Sequence, residues 1–206
     1  SAFTVGTGSI SVNGTAANLV VGSQASVLIS GLNIGTLSGN VGTVTNSGTI
    51  TLLTTSILNV GTVANTTGIL NLTGGTLTTG TGLTSIGAGG KVTLNGGALS
   101  VSGDLLVSGG TLTQSPAAFA FTLPDSHTMT INTGGVVSIA GVWAPGTSDL
   151  IAITGAGSTF NNTGTSATAD VLMEHNSTLT VGLGGTFHCD GYFEMGIFGN
   201  GVITIE

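Results

Sequence analysis

Residues 68–78 read GILNLTGGTLT, and the phrase returns as GKVTLNGGAL at 90–99 and as GDLLVSGGTLT at 103–113. Apolar and small polar residues alternate in each, so an extended chain would show Ile, Leu or Val on one side and Thr, Ser or Asn on the other. A Gly-Gly pair then interrupts the strand before the next begins. The fold turns on how these short strands are stacked.

Outward from this stretch the same pattern continues, in SISVNG (9–14), NLVVG (18–22), SVLISG (26–31), TITLL (49–53) and ILNVG (57–61). These are period-two strands ended by Gly or Asn, and the scarcity of Glu, Lys, Arg and Gln argues against long helices. Gly-Gly recurs at 74–75, 96–97, 109–110, 134–135 and 184–185. The steps are 22, 25 and twice 25 residues, with 74 to 109 half a step out of phase. A period in the twenties with three short strands per turn predicts an all-β fold, a parallel β-solenoid (β-helix). Roughly nine coils would make a rod about 40 Å long at the ~4.8 Å strand spacing. Glycine would supply the positive φ and close backbone approach of the corners, while Thr, Ser and Asn on successive turns would form hydrogen-bonded ladders.

Composition narrows the function. The 206 residues include 37 Gly, eight acids, a single Lys (Lys91) and no Arg, for a net charge of −7. Charged residues make up 4%, against a usual fraction of about 25%. One cation cannot neutralise a phosphate backbone, which excludes nucleic acid as a partner. No transmembrane segment is expected, since no stretch approaches the ~20 apolar residues of a spanning helix. Regular Val, Ile and Leu argue against disorder. The one cysteine, Cys189, cannot form an internal disulfide.

The character of the chain shifts near residue 115. All three prolines (Pro116, Pro124, Pro145) lie between 116 and 145, and the residues beyond 114 include Trp143, Tyr192, six of seven Phe, every His and Met, and seven of the eight acids. We therefore divide the chain into a thin Gly/Thr-rich solenoid (1–114), a Pro-containing transition (115–150) and a repeat-like C-terminal region (151–206), with a wider aromatic-containing β region in the C-terminal half.

That last region carries ITGAGSTFNNTG (153–164), NSTLTVGLGGTF (176–187) and GYFEMGIFGNGVITIE (191–206). It resembles the repeats of autotransporter (type V secreted) passengers and of PEP-CTERM-associated surface proteins. Gly155, Gly157, Ser158 and Phe160 match the turn of those repeats, Gly184 to Phe187 the Gly-Gly-Thr strand, and Gly199 to Ile205 the closing strand. The resemblance covers about a quarter of the chain and implies a secreted bacterial β-solenoid; it carries no catalytic residues.

The densest chemical cluster, FHCDGYFEMG (187–196), places His188 and Asp190 on one side of a strand and Cys189 on the other, so the three do not converge on a metal. PDSHT (124–128) contains Asp125, Ser126 and His127, but adjacent residues cannot adopt triad geometry. It reads as a turn in which Asp125 caps its own backbone. MEHN (173–176) reads as a polar corner. No catalytic, metal or cofactor site is expected, and the chain reads as a non-enzyme.

The reading that remains is structural: an extracellular or cell-surface protein, its signal peptide already removed, that assembles head to tail with itself into a filament or sheath. The terminal strand patterns lack the prolines and charges that protect open edges, Glu206 aside. The expected interface residues are Phe3, Val5, Ile10, Val12, Val202, Ile203 and Ile205, by edge pairing or by a donated N-terminal strand. An adhesin that contacts glycans or host surfaces is the alternative. Ice binding is third, from Thr-x-Thr at 49–51, 76–78, 111–113, 128–130 and 178–180, whose spacings of 27, 35, 17 and 50 are uneven.

Overall fold

A computed structural model of the chain describes residues 2–4, 6–115, 121–164, 170–197 and 199–206. Every regular element among them is a strand, and every pairing is parallel. The strands stack as a β-solenoid of about eight turns with three faces, as the alternation and the Gly-Gly period predict.

Three ladders run along the rod. The first face begins with Ala2–Thr4 on 26–28, then 49–52, Thr76–Thr78, Ala98–Ser100 and Phe121–Thr122. Trp143 comes next, bridging to Val171, and Val171–Glu174 pairs with Phe193–Ile197. The second face stacks Ser9–Val12, 31–34, 57–60, Thr84–Ile86, Leu105–Ser108, Thr128–Asn132, Leu150–Ile153, Thr178–Val181 and Val202–Ile205. The third stacks Ala17–Val21, Val41–Asn46, Thr67–Leu72, Gly90–Leu94, Thr111–Gln114, Val136–Ala140, Thr159–Thr163 and Thr186–Cys189. In the early coils two long strands, Ser26–Ile34 and Thr49–Val60, bend around the corner between the first and second faces. Four residues, 53–56, bulge there opposite Ser30.

The Gly-Gly pairs occupy two different corners, and this accounts for the half-step. Gly74-Gly75 and Gly96-Gly97 precede first-face strands, whereas Gly109-Gly110, Gly134-Gly135 and Gly184-Gly185 precede third-face strands. The repeated phrase is thus read across two kinds of corner: third face to first at 68–78 and 90–99, second to third at 103–113. At the third-face corner Gly109, Gly134, Gly157 and Gly184 stack with φ of 72°, 78°, 79° and 78°. This left-handed backbone is open to glycine and strained for other residues.

Inward residues stack on like residues. Leu32, Leu58, Leu70, Leu77, Leu99 and Val107 are among the side chains with no more than 1% exposure in an aliphatic column. From Phe121 the column becomes aromatic: Phe121, Trp143, Phe160, Phe187 and Phe193 succeed one another with ring centroids 5.9, 5.0, 5.3 and 5.0 Å apart. These spacings fall within the range of favourable aromatic pairs.

Buried amides hold the turn from the third face to the first. Asn46 Nδ2 donates to Thr76 O (2.9 Å) and its Oδ1 accepts from Gly48 N–H; Asn162 Nδ2 donates to Gly141 O (2.7 Å); Gln114 Nε2 donates to Ala140 O (3.2 Å). Such side chains satisfy corner carbonyls that a ladder cannot reach. Outside, the expected polar ladders form in part, as Asn59 Nδ2 on Asn33 Oδ1 (2.9 Å) and Ser47 on Thr73 (2.8 Å between hydroxyls).

Two substitutions test this packing by urea unfolding. Phe160→Ala removes the centre of the ring column, whose side chain is fully buried, and should cost about 3–5 kcal/mol. Gly134→Ala forces a Cβ into left-handed backbone and should cost about 1–2 kcal/mol.

Candidate functional site

The two ends of the rod and one corner of its C-terminal half carry the features on which a function could rest. At the N-terminal end Ala2–Thr4, Ser9–Val12 and Ala17–Val21 are each paired on one side, leaving the other edge of each without a strand among the described residues. Phe3 is 57% exposed and Ile10 half-buried, while Val12 is buried, so Val12 can reach a partner only through its backbone edge. Val5 lies outside the described residues. The first ionisable side chain in the sequence is Lys91, so this end carries no side-chain charge.

At the other end Thr186–Cys189, Phe193–Ile197 and Val202–Ile205 are likewise paired on one side among the described residues. Val202 and Ile203 are exposed, and Ile205 is 78% exposed. Leu179, Val181, Phe187, Phe193, Ile203 and Ile205 line an open apolar depression of about 460 Å³. It lies where the hydrophobic column of the described residues ends.

The corner between the first and second faces stacks PDSHT (124–128), GTSDL (146–150) and EHNST (174–178), with Ser126, Ser148 and Asn176 in left-handed backbone at φ of 63°, 59° and 56°. Asp125 does not cap its own turn as the sequence suggested. Its Oδ1 accepts from Thr147 N–H (2.9 Å) in the next coil; the N–H groups of its own turn are taken, Ser126 by Thr147 O and His127 by Asp149 Oδ1. MEHN places only His175 and Asn176 in the turn; Met173 is a buried strand residue.

Asp149, at this corner, is buried. Its Oδ1 accepts from His127 N–H (3.0 Å), and its Oδ2 has no hydrogen-bond partner among the described residues. Burial pushes its pKa up to about 6 against the pull of the His127 and Gly146 backbone N–H groups, and the neighbouring Asp125 adds to the rise. Asp104, two coils before Asp149 and one before His127, accepts from Thr128 N–H (2.9 Å) and lies 3.1 Å from His127 Nδ1. The backbone hydrogen bond, with the His127 contact, holds its carboxyl below the ordinary value.

On FHCDGYFEMG, His188 Nε2 lies 2.7 Å from Asp190 Oδ1, and Asp190 Oδ2 accepts from Gly164 N–H (3.2 Å), which lowers the Asp190 pKa. Cys189 points away, toward Asn162 Oδ1 (3.9 Å) and Tyr192 O (3.5 Å). Alternation divides His188 and Asp190 from Cys189 as expected. Among the described residues no three His, Cys, Asp or Glu side chains gather where they could hold a metal ion, and no helix is long and apolar enough to cross a membrane.

The aromatic residues divide. Trp143 is buried inside the ring column, whereas Tyr192 is 64% exposed beside Asp170, whose Oδ1 accepts from Tyr192 N–H (2.9 Å). The Thr-x-Thr pairs also divide: 49–51 and 76–78 are neighbours on the first face, 111–113 is on the third, and 128–130 and 178–180 are on the second with Leu150–Ile153 between them. Their spacings of 27 and 50 are one and two coils along a face, and those of 35 and 17 are steps between faces. No protein-family profile, curated protein or solved structure matches this chain.

The raised Asp149 gives a signed pH dependence. The folded chain holds this proton more tightly than the unfolded one, so the stabilisation is complete below the ordinary value of 3.8 and is lost as pH rises through about 6. Asp104 and Asp190, shifted down, stabilise above the ordinary value and lose that contribution as pH falls through their folded values. Asp149→Asn keeps the Oδ1 acceptor and cannot ionise. It should raise the melting temperature at neutral pH and remove the decline between pH 3.8 and about 6, measured by thermal unfolding across pH.

Proposed function

We propose that this chain is a structural, non-enzymatic subunit of an extracellular filament or sheath, joined head to tail by parallel strand pairing between the two ends of its solenoid. The observation that carries this reading is the pair of open, apolar ends. Among the described residues three one-sided strands stand at each, with Phe3 exposed at one and Val202, Ile203 and Ile205 at the other. Unpaired N–H and C=O rows template further strands unless charge, proline or a covering element blocks them.

Head-to-tail joining is favoured over joining like ends for two reasons. It keeps all strands parallel, as they are within the rod. It also sets the neutral N-terminal end against the acidic one, where Asp190, Glu194 and Glu206 of two copies would otherwise oppose each other. Such a contact is heterologous and, where it does not close, builds a filament. With one Lys and no Arg the rod offers trypsin-like proteases little to cut, which suits a surface location. The passenger-like motifs of residues 153–205 accord with secretion.

Adhesion to glycans is the second reading, favoured by the exposed Tyr192 beside Asp170 and Glu194. A glycan-array screen with Tyr192→Ala as control tests it.

Assembly is tested by sedimentation velocity and electron microscopy at micromolar protein. The unaltered chain should form filaments, and Ile203→Lys with Ile205→Lys, which places charges on one open end, should give monomers with unchanged circular dichroism. Monomers of the unaltered chain at every concentration would sink this reading.

A further inference from the structure

The corner between the second and third faces is not of one height along the rod. It takes six residues at 35–40 and again at 61–66, but three at 87–89, two at 109–110 and three at 133–135. All of them join strands held in register from coil to coil, so the longer connections must stand out from the rod. Two adjacent coils thus form a ledge ~10 Å wide, and the next three a notch ~14 Å wide. The ledge carries Leu37, 58% exposed, and Val63, 40% exposed. Beneath it Val63, Ala64, Ala88 and Leu106, with Asn59 and Ser108, line an open groove of about 430 Å³ whose lining includes no ionisable side chain. Ledge and notch both lie within the run of coils, and the end-to-end contact uses neither.

A step of this kind is complementary to itself under one operation. A two-fold axis set across the corner at the step turns a second copy antiparallel, so that its ledge faces the first copy's notch. Residues 61–66 of each copy then meet 87–89 of the other, and 35–40 meet 109–110, which brings Leu37 and Val63 of each over the other's groove. Parallel pairing sets ledge against ledge and holds the notches apart.

Charge selects the same arrangement. In a chain of net charge −7, Lys91 is the only ionisable side chain before Asp104, so the ledge is neutral and the notch begins beside a lone cation. Lys91 stands one coil beyond Ile69 on the third face. The antiparallel setting places it beside the Ile69 coil of the other copy, and the acids at Asp104 and Asp125 alongside the uncharged coils of residues 9–48. The parallel setting opposes like charges, Lys91 to Lys91 and acid to acid.

We infer that two copies of this chain pair side by side and antiparallel through the corner between the second and third faces, each ledge seated in the other's notch. The contact is isologous, closed by its own two-fold, and independent of head-to-tail joining. It spans four coils, ~19 Å of rod, too little to bury the roughly 800 Å² a side of a stable interface. Isolated copies therefore exchange and sediment as monomers at micromolar concentration, while rods joined end to end hold the contact by repetition.

Disulfide trapping tests the pairing. Leu37→Cys and Ser108→Cys are combined in a Cys189→Ser background; within one copy the two positions are three coils apart, at least ~14 Å, too far for a bridge, so any bridge joins two copies. Oxidised at high concentration and run on a denaturing, non-reducing gel, the double variant should form a thiol-reversible dimer several times faster than either single variant. Adding Val63→Glu, which sets a charge on each ledge, should abolish that advantage with unchanged circular dichroism. Equal rates in the single and double variants, an advantage that survives Val63→Glu, or Leu37→Cys alone dimerising as fast as the double variant, as ledge against ledge requires, each overturns the inference. The gel counts covalent dimers alone, so absence of filaments from the unaltered chain sinks the head-to-tail reading and leaves this pairing standing.

Discussion

Parallel backbone pairing between successive coils is the constraint on which everything else in this rod depends. A single coil of some two dozen residues cannot cover its own inward Leu, Val and Ile, and gains a core only when another coil lies on it at the strand spacing. Each corner must then nearly superpose on the one before, or the next strand arrives out of phase. The columns of left-handed residues result from this requirement: glycines 109, 134, 157 and 184 at one corner, Ser126, Ser148 and Asn176 at another. Where a side chain replaces glycine it is small and polar, of the kind that tolerates or hydrogen-bonds a strained turn.

The same constraint sorts the interior. An aromatic ring introduced at Phe121 is accommodated by further rings: Phe160 stacks on its register partner Phe187, while Trp143 meets Phe160 and Phe187 meets Phe193 across the interior between the first and third faces. Asp149 is the exception at a corner: a carboxylate taken out of water, with one oxygen committed to a backbone N–H and the other without a hydrogen-bond partner among the described residues. Its raised pKa is the electrostatic cost of that position.

A structure built only by adding like to like has no intrinsic stop. The charge distribution makes its two ends unlike: all eight acids lie from Asp104 onward, and the first 90 residues carry no acid or base. Neutral strands at one end and an apolar depression in the acidic half at the other suit the directional contact proposed above rather than a symmetric pair.

How much was legible in the sequence depends on which forces are local. Alternation in GILNLTGGTLT, glycine spacing and the lack of helix formers determined strands, the inward set and a parallel solenoid with a period in the twenties, since strand periodicity and left-handed turns are properties of a few adjacent residues. The separation of His188 and Asp190 from Cys189 was legible for the same reason. What tertiary structure decided was phase: which of three corners each Gly-Gly pair occupies, that Thr-x-Thr pairs scatter over three faces, and that Asp125 caps the next coil instead of its own turn. Equivalent corners look alike in sequence, and only the hydrogen bonds to a coil some 20 to 28 residues away distinguish them. The burial of Asp149 was invisible for that reason, since it exists only once the coils are stacked.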